Sequence, residues 1–289
     1  MLIDVHAHLG RTAALEGPPV TEDELLRRMD EWGVGRAVIQ PLVSPEGMGS
    51  PYTTEHALEA VARHPDRLLT FCNIDPRMGH NRADYDFGWM LGEYKAAGCL
   101  GLGEMTCNLW FDDPRCLNLY RQCGEVGFPV LFDMHGDVRE GLYGVADDLG
   151  LPRLERTLAH LPETVFIGHA PAFWAEIASN VSDETRDGYP GDPIERPGRV
   201  PELLRAYPNL WADISAGSGY NALTRSPEYG YRFLEEFQDK LLFGTDICVT
   251  NQDIPIVAWL EEARGSGRIT EACYRKVGWE NAQRLLGLA

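Results

Sequence analysis

The chain opens Met1-Leu2-Ile3-Asp4-Val5-His6-Ala7-His8-Leu9-Gly10. Leu2, Ile3 and Val5 form the short apolar run of a buried strand. Alternate residues of a strand face the same side. His6 and His8 therefore share a face, with α-carbons about 6–7 Å apart. Two imidazoles so placed can lean onto one cation about 2 Å from each nitrogen. Imidazole is neutral near pH 7 and is the commonest metal ligand, suited to zinc and similar ions. His-x-His alone describes two polar residues at a solvated strand end equally well. The metal reading requires further ligands, each at the end of another strand.

The sequence contains repeated candidates for such strands. Arg36–Pro41, Leu68–Ile74, Cys99–Glu104, Pro129–His135, Thr164–His169, Asn209–Ser215 and Lys240–Asp246 are short apolar segments. Helical segments separate them. Thr21-Glu22-Asp23-Glu24 is a capping-box pattern opening a helix to Trp32, stopped by Gly33. Further helices are expected over Thr54–Arg63, Ala83–Ala97, Leu151–Leu161, Phe173–Ala178, Pro201–Ala206, Ser226–Phe237, Ile254–Arg264 and Thr270–Leu286. Pro114 stands first in another, ending near Gly127. Eight strands alternating with helices imply parallel strands with crossover helices. The expected fold is a single α/β domain over 1–289, a (β/α)8 TIM barrel. The competing doubly wound sheet often carries a Gly-rich first turn, where this chain has histidines. Asn180–Pro201, rich in Gly and Pro and without periodicity, reads as an irregular insertion, either a lid or a solvated loop.

Lys+Arg number 26 against 44 Asp+Glu, a formal net charge of −18. Nucleic-acid and anionic-membrane surfaces both need a basic footprint, so neither partner is expected. No apolar run approaches the length of a spanning helix. The first strand begins at residue 2, leaving no room for a signal peptide. Seven cysteines without a Cys-x-x-Cys pair argue against a disulfide framework and for a reducing cytoplasm. The oligomeric state is open, a homodimer included.

In a barrel of this kind the active site lies at the carboxyl ends of the strands. His6 and His8 end strand one, Glu104 strand four, His135 strand five, His169 strand six and Asp246 strand eight. Asp213 and Ser215 end strand seven. His56, His64, His80 and His160 fall on helices or loops and read as structural. Cys248 could face the pocket, but no partner base marks it as a nucleophile. Gly101-x-Gly103 reads as a close-packing site. Ser215–Gly219 reads as a plain loop, or as one offering N–H groups to an anionic part of a substrate.

This pattern resembles the amidohydrolase superfamily, in the amidohydrolase-related branch that includes aminocarboxymuconate-semialdehyde decarboxylase. The resemblance rests on Asp4-Val5-His6-Ala7-His8, His135, Gly168-His169-Ala170, Gly244-Thr245-Asp246 and the tail Trp279–Leu286, in the family's order. It implies that His6, His8, His135 and Asp246 hold one divalent metal, zinc first and manganese second, with His169 catalytic beside it. Glu104 stands where a related branch bridges a second metal, so it is a fifth candidate ligand and two ions are the alternative.

The leading chemistry is hydrolysis of a small-molecule amide, ester or lactone by metal-activated water. Asp246 would both ligate and accept the proton, and His169 would stabilise the oxyanion or protonate the leaving group. Arg11, Ser215 and the arginines of Asn180–Pro201 are candidates for substrate contact. The same site could instead run non-oxidative decarboxylation of a small aromatic or unsaturated acid. A non-catalytic metal-binding barrel is the third reading.

Overall fold

The computed structural model describes residues 2–12, 15–139 and 142–288. The elements run β1 (Leu2–Ala7), α1 (Glu22–Trp32), β2 (Val34–Ile39), α2 (Thr54–Arg63), β3 (Leu68–Thr70), α3 (Gly88–Ala96), β4 (Leu102–Met105) and β5 (Leu109–Trp110). They continue with α4 (Pro114–Val126), β6 (Val130–His135), β7 (Val145–Ala146), α5 (Pro152–His160), β8 (Phe166–His169), α6 (Pro171–Ala175), α7 (Arg199–Ala206) and β9 (Leu210–Asp213). The chain ends with α8 (Ala216–Thr224), α9 (Pro227–Phe237), β10 (Leu241–Leu242), α10 (Pro255–Gly265), α11 (Glu271–Arg275), a π-helical turn (Lys276–Glu280) and α12 (Asn281–Leu286).

Eight strands close into a parallel barrel in the order β1-β2-β3-β4-β6-β8-β9-β10. Regular pairing joins β1-β2-β3 and β4-β6-β8-β9-β10. Two looser seams complete the ring. At the first, Cys72 bridges Leu102, and Cys72 N donates to Gly101 O at 2.8 Å. At the second, Ala7 bridges Ile247 and Val5 N donates to Phe243 O at 3.0 Å. The short β5 and β7 pair beside β6 outside this ring and have no counterpart in the sequence reading.

Local chemistry accounts for the element ends. The Thr21 side chain accepts from Glu24 N at 3.2 Å, and Gly33, with φ +67°, turns the chain out of α1. Asp113 caps α4, Pro114 is its first residue and Gly127 ends it. α3 starts later than expected: Ala83–Asp84 is a turn, Tyr85–Phe87 is irregular, and Gln122 Oε1 accepts from Phe87 N at 2.7 Å just before the helix. The Ser215–Gly219 stretch is not a loop: it opens helix α8.

Two cores result. Ile3, Val5, Val38, Phe71, Leu131, Ile167 and Leu242 plug the barrel interior, with Ala282 and Leu286 of α12 against them. Each such side chain contributes about 1.5–3 kcal/mol on burial. Asn281 fastens α12 to the start of β10 by donating to Gln238 O and Leu241 O. The larger core lies between strands and helices. Polar residues replace the plug at the strands' carboxyl ends. No helix among the described residues is long and apolar enough to cross a membrane.

Asn180–Gly198 contains no helix or regular strand. It is pinned to the barrel by Asp187, which accepts from Gly136 N at 2.6 Å, and by buried Arg186, which donates to Asp147 O at 3.1 Å.

Candidate metal centre

Pairing between β1 and β2 is irregular between Asp4 and Ala7, which re-aims the residues that follow Val5. Asp4, fully buried, fixes this stretch. Its carboxylate accepts from His6 N at 2.9 Å, Thr245 N at 3.0 Å and Thr245 Oγ1 at 2.6 Å, tying β1 to the chain after β10. Burial pushes the Asp4 pKa up to about 7, and the bonds from Thr245 and His6 limit the rise.

The His6 and His8 side chains converge, with Nε2 atoms 3.1 Å apart. Glu104 Oε2 lies 3.5 Å from each of them. Asp246 Oδ1 lies 3.5 Å from His6 Nε2 and 3.2 Å from His8 Nε2. Four ligands about 2.1 Å from one centre in a tetrahedron would be about 3.4 Å apart. The five separations just given, 3.1–3.5 Å, are close to that spacing. His169 stands next to them, its Nε2 3.8 Å from Glu104 Oε1 and 3.7 Å from Asp246 Oδ2.

The other imidazole nitrogen of each histidine is occupied behind the site. His6 Nδ1 donates to Asp213 Oδ2 at 2.9 Å and His169 Nδ1 to Asp213 Oδ1 at 3.0 Å. His8 Nδ1 donates to Gln40 O at 3.0 Å. Three Nε2 lone pairs are thereby turned inward, which is how metal-ligating histidines are held. Asp213 also accepts from Ser215 N at 3.0 Å and Ser215 Oγ at 2.5 Å.

The local charge calls for a cation. Burial opposes protonation of His6, yet Glu104, Asp246 and Asp213 raise its pKa well above the usual value. Burial likewise opposes protonation of His8, and its bonds to Asp246 and Glu104 push the pKa up to about 9. Burial works against the carboxylate of Asp213, but His169 and His6 hold its pKa far below the usual range. Carboxylates this buried bind either protons on their neighbours or a metal. Asp246 sits at φ +52°, a left-handed conformation uncommon outside glycine, and Ala170 beside His169 sits at φ +80°. Gln252 clamps the turn after Asp246, donating to Asp246 O at 2.8 Å and accepting from Cys248 N at 2.6 Å.

The structure thus brings His6, His8, Glu104, His169 and Asp246 together. It does not bring His135 into the group. His135 Nε2 faces Asp133 Oδ1 at 3.2 Å and Nδ1 faces Asp187 Oδ1 at 3.5 Å. Asp133, two residues earlier on the same strand face, lies nearer the site. Its carboxylate falls within 4.8 Å of Glu104 and His169 donor atoms. Ser215 is buried behind His169 and Asp213. Arg11 is exposed, donating to Gly17 O at 3.3 Å. Arg199 pairs with Glu155 and Glu202. Cys248 does line the cavity, its thiol 3.4 Å from Asp246 Oδ1. All seven cysteines are buried and free. A cavity of about 20 Å³ lies over the donors, with Thr12, Thr106, Asp133 and Tyr143 in its wall.

Sequence reasoning placed Asp213 at a strand end but gave it no task, and it passed over Asp133, Gln40 and Gln252. The signal available for the two aspartates was their position: Asp213 ends β9 and Asp133 shares the inward face of β6.

Residues 3–288 match the amidohydrolase family. The chain belongs to that family. This amidohydrolase matches no curated protein by sequence. Solved structures share its fold along nearly the whole length. One is 2,6-dihydroxybenzoate decarboxylase from Rhizobium, at 17% identity and TM-score 0.62, covering 99% of this chain and 98% of the other. Another is a dihydroxybenzoic acid decarboxylase from Polaromonas sp. JS666 with bound manganese and the inhibitor 2-nitroresorcinol, at 17% identity and TM-score 0.61, covering 99% and 97%. A third is a probable 2-pyrone-4,6-dicarboxylic acid hydrolase from Acinetobacter baumannii with bound citric acid, at 17% identity and TM-score 0.60, covering 99% of each chain.

Proposed function

We propose that this amidohydrolase-family enzyme hydrolyses a neutral small-molecule ester, lactone or amide at a divalent-cation site. His6, His8, Glu104 and Asp246 would hold the ion, with zinc first and manganese second on the chemistry of a mixed imidazole–carboxylate donor set. A cation bound there polarises a carbonyl and lowers the pKa of water toward about 7.

The chain's own groups supply the rest. Asp246, its Oδ1 beside His6 and His8 Nε2, would accept the proton of the attacking water. His169 is oriented by Asp213. Burial opposes its protonation, and Asp213 overcomes that to raise its pKa. Its Nε2, which faces Glu104 Oε1 at 3.8 Å and Asp246 Oδ2 at 3.7 Å, would when protonated donate to the oxyanion or the leaving group. The Asp213 carboxylate holds His6 and His169 in fixed register, so ligand and proton donor cannot drift apart.

One observation carries the choice of reaction: Glu104, Asp133 and Asp246 line the cavity, and no arginine or lysine among the described residues does. With one divalent cation bound, two positive charges would still stand against three carboxylates, and a substrate carboxylate, the group lost in decarboxylation, would meet no basic side chain. A neutral acyl group meets no such penalty. Decarboxylation of a small acid is the second reading, supported by the decarboxylases of the same fold, one of them with manganese. The test is incubation of the zinc- and manganese-loaded enzyme with panels of lactones, esters, amides and aromatic acids. Cleavage of a neutral acyl compound, abolished by His169→Ala, is expected. Carbon dioxide release with no acyl cleavage would overturn the hydrolase reading.

A further inference from the structure

We propose that Asp187, carried by the irregular segment Asn180–Gly198, is a positioning residue for the reaction: it acts through His135 to hold Asp133 on the wall of the metal centre. The proposal rests on chemistry taking place at that centre, not on which bond is cleaved there.

Three side chains stand in line. His135 Nδ1 lies 3.5 Å from Asp187 Oδ1, and its Nε2 lies 3.2 Å from Asp133 Oδ1. One imidazole is thus bracketed by two carboxylates, one on β6 and one on the irregular segment. Asp133 in turn has a carboxylate oxygen within 4.8 Å of donor atoms of Glu104 and His169. His135 is buried and packed on its remaining sides. The Tyr143 ring meets it edge-on at 5.2 Å, and a β-carbon on Gly144 would lie 2.7 Å from His135 Cδ2. Burial opposes protonation of His135, but Asp133 and then Asp187 push its pKa up to about 10. At neutral pH it is an imidazolium that both carboxylates attract.

The segment that brings Asp187 is built to place it. Asp187 Oδ1 accepts from Gly136 N at 2.6 Å, directly after β6. Arg186 beside it is 1% exposed and donates to Asp147 O at 3.1 Å. Gly136 lets both residues approach: a β-carbon there would lie 3.1 Å from Arg186 Cδ and 3.2 Å from Asp187 Oδ2. Asp147 is itself fixed, accepting from Arg153 N at 3.0 Å and Leu154 N at 2.7 Å where α5 begins. Within the segment, Arg186 N donates to Ser182 O at 3.0 Å and Gly188 N to Thr185 O at 3.2 Å, so a tight turn carries the pair. Burying a guanidinium costs free energy, and a merely solvated loop would leave it in water.

The line works by charge. Asp133 shares its wall with Glu104 and Asp246, and like charges drive it away from them. The His135 imidazolium sets where it comes to rest, and Asp187 sets where the imidazolium rests. A misplacement of about 1 Å near a reacting centre can cost about a hundredfold in rate.

Asp187→Asn separates placement from pinning, since the amide keeps an oxygen for Gly136 N–H and loses the charge facing His135. It is compared with Asp187→Glu, Asp133→Asn and the double variant Asp133→Asn/Asp187→Asn, all zinc-loaded. NMR of the histidine rings, with the signal assigned by His135→Gln, reads the pH at which His135 loses its proton. Chelator competition reads zinc affinity, and steady-state kinetics reads kcat and KM for the best compound of the panels above. Asp187→Asn is expected to lower the His135 midpoint by about one pH unit or more. It should lower kcat about tenfold while KM and zinc affinity stay within about twofold. Asp187→Glu should restore much of that loss. The double variant should be no slower than Asp133→Asn, because Asp187 acts only through that carboxylate. An unmoved His135 midpoint, an unchanged kcat, a loss of zinc affinity as large as the loss of rate, or rate losses that multiply in the double variant would overturn the proposal. Carbon dioxide release in place of acyl cleavage defeats the hydrolysis reading and leaves kcat as the readout here. Without any turnover the His135 midpoint alone decides.

Discussion

Replacing Asp213 by asparagine tests the central electrostatic arrangement. The carboxylate takes the His6 Nδ1 proton on Oδ2 and the His169 Nδ1 proton on Oδ1, where Ser215 N and Oγ also donate. Asparagine has nearly the same shape but only one accepting atom. Ser215 supplies two donors on the Oδ1 side, so the amide oxygen settles there and Nδ2 faces His6. His6 must then accept at Nδ1 and carry its proton on Nε2, the atom that faces Glu104 and Asp246. A hydrogen bond to a charged group is worth about 1.5–3 kcal/mol, which corresponds to about 10–150-fold in affinity. Loss of outer-shell support elsewhere costs metal affinity or activity about 10–100-fold. Competition with a fluorescent chelator gives the zinc affinity directly, and steady-state kinetics on the best substrate gives kcat/KM. Affinity and kcat/KM both within about twofold of the parent, in a variant that melts normally, would refute the reasoning.

Other outcomes follow from the same geometry. His135→Ala should keep full metal stoichiometry, whereas Glu104→Ala should lose zinc; elemental analysis after gel filtration separates the two. Removing the cation with a chelator should lower Tm, because ligand binding to the native state alone contributes about 2.7 kcal/mol at a hundredfold excess over Kd. Metal affinity should rise with pH up to about 9, because the His8 pKa is pushed to about 9 in the metal-free protein and its proton must leave. Calorimetry in buffers of different ionisation enthalpy reads the released protons, and pH-independent affinity between 6 and 9 would contradict it. The same shift has a sign for stability: the folded pKa lies above the unfolded value of about 6.5, so the metal-free protein holds this contribution below about 6.5 and loses it as pH rises through 9. Gly144→Ala should destabilise by more than about 1 kcal/mol in urea unfolding, since φ is +94° and the new carbon would press on Asp133.

The barrel was legible because its strands are apolar runs ending in chemistry-bearing residues. His6, His8, Glu104, His169 and Asp246 could be picked from their strand-end positions alone. His135 and Asp133 show where that reading stops. Both lie on one face of β6, and a period of two does not say which level meets the ring of donors. Sequence spacing cannot carry that distance, since it depends on the barrel's stagger. Asp213 was equally hidden, because its task is defined by His6, 207 positions away in the chain. Helix α8 was missed because the Gly-rich stretch Ser215–Gly219 reads as a loop. Gly219 is needed there for packing: a β-carbon would lie 2.5 Å from Ile214 O. Arg11 and Ser215 were adjacent in sequence to the right residues, yet one points to solvent and the other sits behind Asp213.

The most direct measurement is anomalous diffraction from a crystal of the zinc-loaded protein. The account predicts one strong peak ligated by His6 Nε2, His8 Nε2, Glu104 and Asp246, with His135 outside bonding distance. A peak ligated by His135, or none among these four side chains, would contradict it.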